Sequence, residues 1–400
     1  MKLVFLVCVL FVFIGVFDDK MAYAGGLNRI GGVGPRSGAM SNAYTAIADD
    51  ASVFYHNVAG LSQFQTMYLE TGADFVFPAF KLKDRFGKEI ESHMPVAHVL
   101  PVVGFVQPVS ESFTWGIGIH TPFGLGARFD DNREQLGADT ETCISLTNIT
   151  PAVSYKLNDR IALGFGINIG WGQFQADMPL SISSIVTPIQ TKNQADGFGV
   201  GWTTGVMWQI SDQWRLGARY TSETTVDLSG DLKLKLGPFE FSDSLTADYT
   251  YPDSAAVGLA YTPYEKLTLA ASANWTGYSS TEDSIALSFK KLGITKTQHT
   301  HWKDIPGMCV GVRYSLTPQW TVRAGIGMLS AAVPDNTVST LTPDANGWDT
   351  AVGIEYQKGH FTTAAHVNIG NGENTLDDFW GEKTCSATIT TVSITGSWHF

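Results

Sequence analysis

Charge is scarce in this 400-residue chain: Asp, Glu, Lys and Arg make up 16%, against 44% hydrophobic residues, and the formal net charge is −12. That balance argues against a nucleic-acid partner, which would call for a basic face. Cysteine is scarcer still. Of four, Cys8 falls in the first apolar run, and Cys143, Cys309 and Cys385 have no C-x-x-C spacing, so neither a disulfide framework nor a zinc site is indicated. Past the N-terminus no apolar run is long enough for a membrane helix. There is no G-x-S-x-G, no H-E-x-x-H and no informative Ser/His spacing among nine histidines, which weighs against an enzyme. GGVGPRSG (31–38) lacks the Lys-Ser/Thr pair of a phosphate loop and follows no strand. No cofactor or metal is expected.

What is present begins with an export signal. Lys2 precedes an apolar run from Leu3 to Phe17, and Ala22-Tyr23-Ala24 supplies a small-x-small cleavage pattern, so residues 1–24 read as a signal peptide. Further on, 41 glycines and abundant aromatics are arranged with a period of two. Ile161, Leu163, Phe165, Ile167, Ile169 and Trp171 alternate with Ala162, Gly164, Gly166, Asn168, Gly170 and Gly172. Strands of ten or more residues, oily on one face and polar or tiny on the other, suit a tilted crossing of a bilayer.

Tight polar turns recur at VSESF (109–113), KLNDRI (156–161), QISDQW (209–214), YTPYEKL (261–267), SLTPQW (315–320) and YQKGHF (356–361), with long segments such as 130–141 and 181–197 between them. Short turns on one rim and long loops on the other are the outer-membrane arrangement. Strands leaving the short turns are expected to start near 66, 113, 160, 214, 266, 319 and 360. Those returning from the long loops are expected near 95, 143, 198, 245, 299, 348 and 387. The fold class is therefore an all-β transmembrane barrel of about 14 antiparallel strands over residues 64–400. Residues 25–63 are too short for their own core, and a barrel this wide has room for a plug. SNAYTAIADDASVFYHNVAG (41–60) reads as small-residue helix running into a turn.

The stretch GAMSNAYTAIADDASVFYHNVAGLSQF (38–64) resembles the N-terminal hatch of the FadL/TodX family, outer-membrane transporters of long-chain fatty acids and aromatic hydrocarbons. FTWGIGIHTPFGLGARFD (113–130), YTSETTVDLSGDL (220–232), WKDIPGMCVGVRY (302–314) and VPDNTVSTLTPDANGWDTAVGIEY (333–356) are similar to its third, seventh, tenth and twelfth strand regions. The resemblance implies outer-membrane transport of hydrophobic compounds, long-chain fatty acids above all. Ligand capture in the barrel, hatch rearrangement and lateral release would carry it, in a Gram-negative outer membrane. The chain departs from the family at Val58, where a proline is usual, and at Thr221, Gly307 and Gly347, where arginines are expected. Fewer fixed cations weaken a carboxylate clamp and lean toward neutral or aromatic hydrocarbons as the alternative cargo. A general diffusion porin and an outer-membrane lipid hydrolase are the remaining alternatives.

Site expectations follow. Asp49, Asp50 and the turn Asn57-Val58-Ala59-Gly60 would gate the hatch, with the aspartates tying it to wall arginines. Pro122 removes a ladder hydrogen bond among glycines and is expected to kink the strand or open a gap, and the resemblance implies a lateral exit there, at Thr121, Pro122, Phe123 and Gly124. Strand parity turns Arg215, Arg219, Arg313, Arg323, Glu355, His120, His366 and Lys303 inward. Lys303, Arg219 and Arg313 would meet the ligand, as would Ile182, Ile185 and Ile189 of the third long loop, with Leu180 and Val186 beside them. Cys143 and Cys385 both fall near the long-loop rim and are candidates to pair. The terminal Phe400 ends an alternating strand and would be read by the barrel assembly machinery. Lipopolysaccharide and outer-membrane lipid would surround a chain acting as a monomer.

Overall fold

A computed structural model describes residues 31–83, 89–92, 97–129, 140–180, 189–236, 239–281, 284–289, 294–299, 301–334, 342–378 and 381–400. The expected signal peptide, residues 1–24, lies outside them. The strands are β1 (Tyr68–Lys83), β2 (Glu89–Glu91), β3 (His98–Pro108), β4 (Phe113–Phe129), β5 (Thr140–Lys156), β6 (Ile161–Leu180), β7 (Ile189–Gln209), β8 (Trp214–Thr221), β9 (Thr224–Leu236) and β10 (Phe239–Tyr251). They continue with β11 (Ser254–Tyr264), β12 (Leu267–Thr276), β13 (Ser284–Phe289), β14 (Ile294–His299), β15 (Ile305–Ser315), β16 (Trp320–Leu329), β17 (Gly347–Lys358), β18 (Phe361–Asp378) and β19 (Gly381–His399).

All pairings are antiparallel, and β19 returns to β1 from Tyr68↔His399 to Lys83↔Thr384, so the sheet closes. Strands β8 and β9 both pair with β7 and follow each other as one wall position, as do β10 and β11 in the next. Setting aside β2 and the β13–β14 hairpin as elaborations, the wall has the fourteen positions expected.

Alternation becomes an outside and an inside. Leu163, Phe165, Ile167 and Ile169 of β6 are exposed on the outer surface, whereas Ala162, Gly164, Gly166 and Asn168 are buried. Phe113, Tyr155, Trp208, Trp214, Trp320 and Phe361 form an exposed aromatic ring close to the short turns, the interfacial girdle of a membrane barrel. Toward the long loops the polarity reverses. In β9 and β10, Val226, Leu228, Leu232, Leu245, Tyr249 and Tyr251 are buried while Asp227, Asp231 and Lys233 are exposed, as befits a wall that has left the bilayer.

Residues 31–64 fill the short-turn half of the lumen. They contain α1 (Gly34–Gly38), α2 (Val53–His56) and a 3-10 helix (Val58–Gln63), joined by turns, rather than the longer helix expected over 41–60. Ser41, Asn42 and Ala48 have positive φ, which interrupts any helix there. Inward glycines receive this segment. A side chain on Gly118 would strike the Phe54 ring, one on Gly164 the backbone of Val58 and Ala59, and one on Gly325 the backbone of Met40.

Candidate functional site

Polar and charged groups fasten the segment to the wall. Arg36 of α1 pairs with Glu355 of β17, donates to Tyr68 Oη at 3.0 Å and lies 3.9 Å from Glu70. Glu355 also receives Arg323 at 3.2 Å. Glu70 is saturated: it accepts from Tyr68 Oη and Thr395 Oγ1 at 2.5 Å each and from Ala51 N at 2.9 Å. Buried charges that pair and hydrogen-bond in this way resist separation, because removing one partner strands the other in a poor solvent.

The expected gating residues divide between wall and local contacts. Asp49 accepts from Arg313 at 2.7 Å and from Tyr44 at 2.5 Å, so it does tie the segment to β15. Asp50 instead accepts from Ser52 N and Oγ within its own turn, and no arginine lies within ion-pair distance among the described residues. Its expected wall arginine is thus corrected: the chain turns there and Ser52 takes up the carboxylate locally. Asn57 holds the following turn: Nδ2 donates to Thr45 O and Val206 O at 3.0 Å each, and Oδ1 accepts from Ala59 N at 3.1 Å. Val58, Ala59 and Gly60 are buried behind it, with Ala59 O accepting from Ser154 Oγ at 3.0 Å.

Above the segment is a cavity of about 120 Å³, bounded below by Ser41, Asn42 and Phe54–His56. Its wall includes His120, Pro122 and Phe123 of β4, Arg219 of β8, and Gly307 and Met308 of β15. Arg219 donates to Ser254 Oγ at 2.9 Å and to Thr221 Oγ1 at 3.3 Å, and its guanidinium sits 5.2 Å from the centre of the Tyr55 ring. Its Nε has no partner, and no carboxylate is within ion-pair distance among the described residues. A half-buried cation without an anion, facing a cavity, is an anion-binding arrangement.

Beside it packs a buried apolar cluster that sequence reasoning missed. Tyr249, Tyr251, Tyr278 and Trp302 are buried edge to edge, with Phe123 packed 5.9 Å from the ring of Tyr251. The signal was there in the alternation of Leu245, Ala247, Tyr249 and Tyr251. It could be read only by noticing that the oily face of this strand had changed sides.

At the expected exit β4 carries an irregularity: pairing with β5 shifts by one residue between His120 and Phe123. Pairing with β3 stops at Val103↔Ile119, so His120–Gly124 and His98–Val102 are not joined by a ladder. Pro101 and Pro122 stand almost opposite each other across this break, each without an N–H to give. Thr121 Oγ1 instead bonds Thr147 Oγ1 across to β5 at 3.0 Å, and Gly124 pairs with Ser145.

Arg215, Arg219, Arg313, Arg323, Glu355, His120 and His366 lie on the inner side, as parity requires. Lys303 does not. It precedes β15 and is exposed while its neighbour Trp302 is buried, so the inward face expected for Lys303 is corrected: the strand whose parity was extrapolated begins only at Ile305. Ile189 opens β7 opposite Leu180 at the long-loop rim, and Ile182, Ile185 and Val186 lie outside the described residues. Cys143 and Cys385 are both buried without a disulfide joining them. They belong to β5 and β19, with three strands between them.

Residues 21–371 match the family described as Outer membrane protein transport protein (OMPP1/FadL/TodX). The chain belongs to this family. Among relatives of this OMPP1/FadL/TodX member, the Long-chain fatty acid transport protein of Escherichia coli O157:H7 is 25% identical, with 84% of each chain covered. Outer membrane protein P1 of Haemophilus influenzae is 22% identical, covering 81% of this chain and 80% of that one. The fold matches a Pseudomonas aeruginosa FadL homologue with a TM-score of 0.81 at 18% identity, over 94% of this chain and 100% of that one. It matches the P. putida toluene transporter TodX with a TM-score of 0.79 at 19% identity, over 93% and 99%. As a FadL/TodX family barrel, the chain is an outer-membrane transport protein for hydrophobic compounds in a Gram-negative bacterium.

Proposed function

We propose that the cargo is a long-chain fatty acid, with its carboxylate on Arg219 and its tail among Phe123, Tyr249, Tyr251, Tyr278 and Trp302. The observation that carries this reading is the half-buried Arg219 guanidinium, which lines the cavity without a carboxylate partner among the described residues, beside an apolar cluster. Tail burial gains about 25 cal/mol per Å² of apolar surface, so affinity needs no covalent chemistry, and the protein acts as a transporter rather than an enzyme. The names of the curated relatives point the same way.

Residues 1–24 serve as signal peptide in this proposal, 25–63 as a hatch and 64–400 as the barrel. The hatch is latched through Asp49 and Arg313 and pinned at Asn57–Gly60. Release runs sideways past Thr121, Pro122, Phe123 and Gly124, where β3 and β4 part. The chain works as a monomer amid outer-membrane lipid and lipopolysaccharide, and Phe400 addresses it to the assembly machinery.

A second cargo, a neutral aromatic hydrocarbon, is favoured by Gly307, which leaves the cavity without a cation at that position. Binding of oleate and of toluene to detergent-purified protein separates the two. Arg219→Gln should weaken oleate at least tenfold and leave toluene unchanged, since a buried charged contact is worth about 2–5 kcal/mol. Unchanged oleate affinity in that variant would refute the carboxylate site.

A further inference from the structure

The wall has a second interruption, between β15 and β16. Their ladder runs from Ser315↔Thr321 to Cys309↔Gly327 and ends there, although β15 continues back to Ile305 and β16 on to Leu329. Both strands keep their other neighbours over this stretch: Gly307 faces Asn274 and Pro306 faces Trp275 on β12, while Met328 faces Trp348 on β17. The two sides meet again only beyond the gap, where Ser330 Oγ donates to Pro306 O at 2.8 Å and Lys303 N donates to Ala332 O at 2.8 Å. What remains is an aperture framed by Pro306, Gly307 and Met308 on one side and Met328 on the other.

Three observations make it a passage rather than a packing fault. Gly307 is lightly covered: a Cβ there would make only ordinary contacts, at 3.8–3.9 Å, with Asn274 and the Met328 carbonyl, whereas the inward glycines Gly118, Gly164 and Gly325 are overlaid by the N-terminal segment. The lumenal cavity is lined by Met308 and Met328 although Met308 is an outer-surface residue, 66% exposed. A depression on the outer surface, holding Asn346, Trp348 and Asn371, shares Met328 and Ser330 with the cavity. Trp275 and Trp348 flank the aperture and are both exposed outward, which sets it at the membrane interface on the long-loop side. Leaving backbone unpaired at that depth is costly unless it borders a cavity, and Pro306 lowers the cost by having no N–H.

We propose that this aperture is a side port through which apolar molecules dissolved in the outer leaflet exchange with the lumenal cavity. The rim carries no charge, and its two thioethers are flexible enough to let a single alkyl chain or one aromatic ring pass. The port stands across the barrel from the break between β3 and β4, so the cavity has two lateral openings on opposite sides. The identity of its cargo rests on the transport reading above; its existence does not.

The test uses the full barrel reconstituted in phosphatidylcholine vesicles containing a phosphatidylcholine with a diazirine at the end of one acyl chain. A tethered probe cannot diffuse through the lumen from the β4 side. Photolysis should label inward-facing Asn274 and Cys309 as well as outward-facing Met308 and Val310. Gly307→Phe should cut inward labelling at least tenfold and leave outward labelling unchanged, and Gly307→Ala, for which there is room, should behave as wild type and show that the position tolerates substitution. Absence of inward labelling in the wild type, or its persistence in Gly307→Phe, overturns the port. Oleate loading in the same vesicles reads the cargo separately: slower loading in Gly307→Phe supports use of the port, and equal rates overturn it. Failure of wild-type protein to bind oleate would sink the fatty-acid reading while the labelling result stands.

Discussion

The two halves of the lumen solve opposite problems with the same strands. In the half near the short turns, inward positions are Gly, Ala, Ser and Thr, and the space they leave is taken by residues 31–64, held through Arg36, Asp49 and Asn57. In the half near the long loops, inward positions are Val, Leu and Tyr, which pack with Tyr278 and Trp302 into a buried apolar cluster, and the cavity lies between that cluster and the N-terminal segment. Small side chains thus mark where the N-terminal segment fills the lumen, and large apolar ones mark where the wall fills it with its own side chains.

Substitution at matched glycines breaks the contrast most sharply. Gly164→Leu would drive a side chain into the backbone of Val58 and Ala59, which cannot yield as a side-chain tip could. The expected outcome is expulsion of the N-terminal segment, seen as large steady conductance in planar bilayers and as protease cleavage within 31–64. Quiet channels and a protected segment would mean that the lower half is looser than its packing indicates. A smaller effect is expected for Arg36→Ala, which leaves Glu70 without a cation and Glu355 with Arg323 alone. Breaking a buried pair in this way costs about 3–5 kcal/mol, to be read as a lower denaturation midpoint for the segment than for the barrel.

The smallest effect belongs to the upper half. Asp344, on the segment between β16 and β17, is buried and accepts from the amides of Ala332, Val333 and Ala345. Burial pushes its carboxyl up to about 6, against the opposing pull of those amides. Folded protein therefore holds this proton more tightly than unfolded protein does. The associated stability is full below the ordinary carboxylate pKa of about 3.9 and is lost as pH rises through about 6. Asp344→Asn should flatten that part of the pH–stability curve, measured by hydrogen exchange of residues 330–346, and leave residues 31–64 unaffected.

The same division governs how far the sequence could be read. Strands leaving the short turns start where the turn residues imply: β4 at Phe113, β8 at Trp214, β12 at Leu267 and β16 at Trp320, against expected starts near 113, 214, 266 and 319. At the long-loop end the error grows, with β7 starting at Ile189 rather than near 198 and β10 at Phe239 rather than near 245. Those strands run on beyond the bilayer, with Lys192, Gln194 and Asp196 facing outward on β7 and the oily face of β10 turned inward, so a rule tuned to lipid-facing alternation stops too soon. Pro122 was visible as an interruption, but its partner across the break, Pro101, could be recognised only once the register of β3 against β4 was known.

Sequence by itself determined the barrel, its strand number and which face meets lipid, because a period of two leaves each side chain only one of two sides to occupy. Tertiary structure alone decided what the inner face touches. Arg36 and Glu355 are 319 positions apart, Asp49 and Arg313 are 264, and the two breaks in the wall depend on which residues of neighbouring strands fail to pair. Closure of the sheet brings such groups together, and local alternation carries no record of the distance.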